Sequence, residues 1–227
     1  LWYRPKIHSL PFINTMSFAT AAALNSEGIH LMSIGDHEGA LRIFEKALAI
    51  SQSLSGHATN SSNSDVRSWR PETIAFVSKI SKNTSCPSFD RCFDVVLDPF
   101  CQGIPSKNEV ELLIATVLYN VALSCQHEAF SRISQRSSYL ETTVRIYHMA
   151  VDVLLNLNVS SDSLSLLLAM SNNMAFLALE NLDYDSFDRY RGWMGCFLIS
   201  QKLFHQNFFS GNFAATSTVK ERPAAAA

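Results

Sequence analysis

Charged side chains are scarce in this chain. Asp, Glu, Lys and Arg make up 17% of it, with 18 basic against 20 acidic residues and a net charge of −2. A surface that binds nucleic acid or anionic lipid needs a basic excess to neutralise phosphates, so neither is an expected partner. Glycine is sparse as well, with 8 in 227 residues, and no G-x-G-x-x-G, P-loop or G-x-S-x-G run occurs. The backbone cradles that hold nucleotide phosphates and the strained elbow that presents a nucleophilic serine are thereby excluded. Long apolar runs are missing too. The longest candidate, residues 164–179, is broken by Ser171, Asn172 and Asn173, short of the ~20 residues that a membrane-spanning helix needs.

Five cysteines are an odd count and do not form the spacing of a disulfide framework. A reducing, intracellular and cytoplasmic setting is the expectation. The chain opens at Leu1 and not at methionine, so a targeting segment can precede it. Sequons at Asn60, Asn83 and Asn158 are read as accidents of a serine-rich chain. Cys86, Cys92 and Cys101 are spaced C-x5-C-x8-C, not as the close pairs of a zinc knuckle. Cys125 and His127, two apart on one helix, point to different faces. Asp183 and Asp185 suit helix capping better than calcium, because no later glycine and glutamate complete a calcium loop. No metal, cofactor, small-molecule substrate or catalytic set is expected from these residues.

Hydrophobic residues, 47% of the chain, are enough for one packed core, and their spacing is helical. In residues 24–47, Leu24, Gly28 and Leu31 are followed by Gly35-Asp36 and then by Ala40, Phe44 and Ala47. Small residues at Gly28, Ala40 and Ala47 let two antiparallel helices approach closely, while Leu24, Leu31 and Phe44 fill the space beside them. This stretch resembles the tetratricopeptide repeat, W-x2-L-G-x2-Y followed by A-x3-F and A. Leu24, Glu27 and Leu31 depart from it at the tryptophan, leucine and tyrosine positions.

The spacing recurs twice. Ala115, Leu118, Ala122 and Cys125 repeat that of Ala21, Leu24, Gly28 and Leu31, and Thr143, Tyr147 and Ala150 repeat that of Ala40, Phe44 and Ala47. Leu168, Ser171, Ala175 and Ala178 begin a third unit, in which Asn173 takes the place of Asn120. The expected fold is all-α: an α-solenoid of about three helix–turn–helix pairs. Its parts are an irregular lead at 1–17, repeat one at 21–53, an insertion at 54–109, repeat two at 110–156, repeat three at 161–204 and a flexible tail at 205–227. Within the insertion, residues 54–68 read as a loop. Residues 73–80 and 92–97 read as the strands of a β-hairpin turning at 83–88, with a short helix over 72–81 as the alternative. Capping boxes are expected at Ser106–Glu109 and Ser138–Glu141.

In tetratricopeptide proteins the first helices of successive repeats line a concave groove for an extended peptide or a partner helix. The resemblance implies that Asn25, Ile29 and Met32, then Tyr119, Asn120 and Leu123, then Asn172, Asn173 and Phe176 line that groove. Asparagine can hold a peptide backbone from both its donor and acceptor sides. On this reading, alanine at Tyr119, Asn120 and Asn173 weakens partner capture and leaves helicity intact. The basic residues that clamp a chaperone's C-terminal carboxylate are replaced by Asn25, Ile29, Ala169 and Asn173, so that family function is not implied. The expected function is a non-catalytic protein-interaction scaffold or adaptor. The alternative is an enzyme or accessory domain with a thiol or metal site in residues 54–109.

Overall fold

The computed structural model describes residues 10–58, 74–80, 91–97, 105–132, 136–157 and 160–216. They form helices α1 (Leu10–Ser33) and α2 (His37–Ala58), strands β1 (Ile74–Ile80) and β2 (Arg91–Leu97), and helices α3 (Lys107–Ser131), α4 (Arg136–Leu155), α5 (Ser161–Glu180) and α6 (Tyr184–Thr216). The described residues are mostly helical. Successive helices pack as the pairs α1–α2, α3–α4 and α5–α6, with α2 against α3 as the most extensive contact between pairs.

The close approach within the first pair depends on Gly28. A Cβ there would lie 2.7 Å from Cδ1 and 2.8 Å from Cζ of Phe44, and Phe44 is fully buried together with Ala40 and Ala47. The second pair repeats this with Ala122, Tyr147 and Ala150 buried, and Leu118 and Ala175 lie in the same core. Leu24 and Leu31 are half-buried against it.

The turns that close the outer pairs share one geometry, 147 residues apart (Asp36 and Asp183). In the first, Gly35 has φ +87°, and the Gly35 and Asp36 amides donate to the carbonyls of Met32 and Leu31. In the second, Leu182 has φ +58°, and the Leu182 and Asp183 amides donate to Leu179 and Ala178. Both are Schellman endings, in which a left-handed residue lets the helix satisfy its last carbonyls. The following aspartate caps the next helix: Asp36 Oδ1 accepts from the Gly39 amide at 2.8 Å and Asp183 Oδ1 from the Ser186 amide at 3.0 Å. Capping holds the Asp183 carboxyl below its ordinary range, chiefly through its bond from Ser186. A leucine in the left-handed region costs about 1–2 kcal/mol that glycine avoids. Leu182 is largely exposed, so Leu182→Gly is expected to raise stability by about 1 kcal/mol in urea unfolding, net of the glycine's greater unfolded-state entropy.

Several expected boundaries move. Helix α1 starts at Leu10, inside the expected irregular lead, because Pro11 falls in the first turn, where no helical N–H bond is lost. Helix α2 runs on to Ala58, and α6 runs to Thr216 through part of the expected tail. The Ser106–Glu109 capping box forms, with Glu109 Oε2 accepting from the Ser106 amide at 2.6 Å. Ser138 is no cap, since α4 begins at Arg136. The Arg136 guanidinium bonds Glu180 of α5 and stacks over Phe130 of α3, tying the start of α4 to neighbouring helices. Helix α5 is capped by Ser160 with Ser163.

The hairpin forms with β1 antiparallel to β2 and Phe93 opposite Ser78. The expected turn at 83–88 and most of the expected loop at 54–68 lie outside the described residues. Strand β2 packs on α1 and α3, which touch one another only sparingly. Helix α3 and residues Asp162–Glu180 are long and apolar enough to cross a membrane by length and composition alone. Most of each segment is buried inside the helical core, which gives that composition a packing role.

Candidate functional site

Strand β2 lies across the first helices of the first two pairs, against the residues that the repeat spacing assigns to a groove. Asn120 takes both main-chain groups of one strand residue. Its Oδ1 accepts from the Phe93 amide at 3.1 Å, and its Nδ2 donates to the Phe93 carbonyl at 2.8 Å. Asn25 Nδ2 donates to the same carbonyl at 3.1 Å, and Asn25 Oδ1 accepts from Asn120 Nδ2 at 2.8 Å. Two residues along, the Arg91 carbonyl accepts from the Tyr119 hydroxyl at 3.0 Å. Main-chain groups two residues apart leave the same edge of a strand. Side chains of α1 and α3 therefore satisfy the edge of β2 that β1 does not.

Side chains add to this grip. The Phe93 ring meets Tyr119 edge-on, with centroids 5.2 Å apart. Cys92 Sγ lies 3.6 Å from Met32 Sδ. The Ser26 hydroxyl donates to Asp94 Oδ1 at 2.6 Å. Cys92, Phe93, Asp94 and Val95 are all buried.

Of the expected groove residues, Asn25, Met32, Tyr119 and Asn120 come together against β2, and not as an open surface. Asn25, Tyr119, Asn120, Leu123 and Asn173 are fully buried, and Ile29 and Met32 nearly so. The chain's own strand covers the α1–α3 part. Asn173 lies deeper, donating to the Tyr147 hydroxyl at 2.9 Å, which in turn donates to Gln126 Oε1 at 3.2 Å. Asn172 and Phe176 on α5 stay half-buried, with Phe176 beside Phe130 at 5.7 Å. Alanine at Tyr119, Asn120 and Asn173 would therefore remove core hydrogen bonds and not only surface contacts. Phe93, Asp94 and Ser26 belong to the site and were not among the expected residues. For Phe93 and Asp94 the signal in the sequence was only the strand pattern at 92–97.

A second polar cluster sits where α2 meets α3. His37 and His127 stack in parallel with centroids 5.1 Å apart. Ser124 donates to the His37 carbonyl at 3.2 Å, and Arg132 bonds Glu128 at 2.6 Å. His37 Nδ1 is buried with no hydrogen-bond partner among the described residues. Burial pushes the His37 pKa below its ordinary 6.5, outweighing the opposing pull of Glu128 and Asp36. The unfolded chain then binds the proton more readily than the folded one, so stability is complete above pH 6.5 and falls as pH drops through 6.5 toward the lower folded value. His37→Asn is expected to flatten this acid limb, measured as urea midpoints between pH 7.5 and 5. An unchanged slope would show that His37 stays protonatable in the fold.

No catalytic arrangement emerges among the described residues. Cys125 is buried, and burial with help from Glu128 and Glu45 pushes its thiol up to about 11, far from a reactive thiolate. Cys196 is exposed. Among the described residues no three His, Cys, Asp or Glu side chains converge to hold a metal. Cys86 and Cys101 lie outside the described residues. A cavity of about 300 Å³ between α4 and the α5–α6 turn is lined by Glu141, Arg145, Asn181, Asp183 and Tyr190 among others, with charges of both signs. Compared with protein-family models, curated proteins and solved structures, the chain matches none.

Proposed function

We propose that this chain is a non-catalytic scaffold or adaptor: a tetratricopeptide-like array of three helix pairs whose first helices, α1, α3 and α5, form a recognition face for an extended segment of a protein partner. The observation that carries the reading is the Asn25–Asn120 pair. It engages both main-chain groups of Phe93, which is how a groove holds an extended peptide whatever its sequence. Two further features support it. Helix α3 touches both α1 and α5, the neighbour relation of first helices in a solenoid. The Schellman turns after α1 and α5 also repeat with the same caps. Unbridged thiols at Cys125 and Cys196 suit a reducing, cytoplasmic setting.

The test is selection of random peptides on the full chain, followed by photo-crosslinking of the selected binders. Crosslinks should fall on α1, α3 and α5, including Asn172 and Phe176. Selection of no peptide, or crosslinks confined to α2, α4 and α6, would count against the array as a recognition surface.

A further inference from the structure

We infer that β2 is a resident occupant of the recognition face, and that the partner is an extended segment of the same pattern, an aromatic residue followed by a carboxylate and a β-branched residue, which takes its place. This rests on the scaffold reading and specifies its ligand and its regulation.

The contacts that hold β2 divide into two kinds. The hydrogen bonds from Asn25, Asn120 and Tyr119 go to main-chain atoms of Phe93 and Arg91, and any extended segment can supply the same atoms. Other contacts read side chains, among them the Phe93 ring on Tyr119, the Asp94 carboxylate on Ser26 and the Cys92 thiol beside Met32. A competing segment therefore needs an aromatic ring and a carboxylate on adjacent residues, with small or branched apolar residues flanking them.

The helices also pack directly on one another. Helix α2 packs broadly on α3 and joins the first two pairs, whereas α1 and α3 make few direct contacts, and β2 lies against both. Departure of β2 opens a cleft between α1 and α3 and leaves the α2–α3 joint in place. As a tethered segment, β2 competes at a high effective concentration. It lowers the apparent affinity for an external segment by the fraction of time that the face stands open.

The experiment uses a fluorescent synthetic peptide of residues 90–98 and the full chain, with binding read by anisotropy. Phe93→Ala in the chain weakens the resident strand without changing a groove side chain. It should tighten peptide binding by about tenfold or more, and replacing the aromatic residue of the peptide by alanine should abolish the gain. Ser26→Ala, added to Phe93→Ala, should weaken the native peptide more than one carrying Asn for Asp94. Should Phe93→Ala lose the native helical signal, Asp94→Ala carries the test with the same expected direction. If folded variants bind the peptide no better than the native chain, while selected peptides still crosslink to α5, β2 is a fixed part of the core and the inference fails alone. If no chain binds any peptide, the scaffold reading fails with it.

Discussion

Asn120→Ala is expected to lower the stability of the chain by about 3 kcal/mol. The change strips an acceptor from the Phe93 amide and a donor from Asn25 Oδ1, both in a layer closed to water. Each buried polar group that loses its partner costs about 1–3 kcal/mol. The Phe93 carbonyl keeps its bond from Asn25, which limits the loss. For a chain of this size the melting temperature should fall by about 6–12 °C. Asn172→Ala, half-buried on α5, should change stability by no more than about 0.5 kcal/mol. Urea unfolding followed by circular dichroism measures both. A loss below 1 kcal/mol at Asn120 would mean that the residue faces solvent, as an open groove requires.

Gly28→Ala should reverse the usual sign of that substitution. On an exposed helix, alanine in place of glycine gains about 1 kcal/mol. At Gly28 the new methyl group would overlap the Phe44 ring, 2.7 Å from Cδ1, and that ring is fully buried. Overpacking of this kind costs about 1–3 kcal/mol, so a net loss of about 1–2 kcal/mol is expected. Phe44→Leu makes room, and in that background Gly28→Ala should be neutral or stabilising. A double-mutant cycle in urea isolates the coupling. Additive effects would remove the close α1–α2 approach, and with it the physical basis of the repeat resemblance.

What was legible in the sequence was what local chemistry decides. Gly35 and Asp36 announce a helix end and the next cap, and both form. Ser106 and Glu109 announce a capping box, and the β-branched and aromatic run at 92–97 a strand; both are found. Helix periodicity found six helices but misplaced their ends. Pro11 reads as a breaker unless it falls in a first turn, and Ser138 reads as a cap although contacts of Arg136 with Glu180 and Phe130 fix the start of α4.

The site failed to read through for a different reason. Of the asparagines expected to line one groove, Asn25 and Asn120 meet, and their suitability for gripping an extended backbone follows from their amide chemistry. Nothing local in residues 91–97 says that the strand will lie between α1 and α3. That pairing joins residues 68 apart, Asn25 and Phe93, and only tertiary contact decides it. An open groove and a groove filled by its own chain therefore look alike in sequence.

The most direct test of the central claim is amide hydrogen exchange at Phe93 in the native chain and in Asn120→Ala. If Asn120 holds β2 in the face between α1 and α3, the Phe93 amide is strongly protected in the native chain, though less than amides in the middle of α3, because β2 can leave while the helices stay packed. In the variant it should exchange at least tenfold faster at matched global stability, since one lost hydrogen bond of this kind corresponds to about 1.4 kcal/mol or more. Fast exchange at Phe93 in the native chain, or no difference between the two chains, would contradict the account.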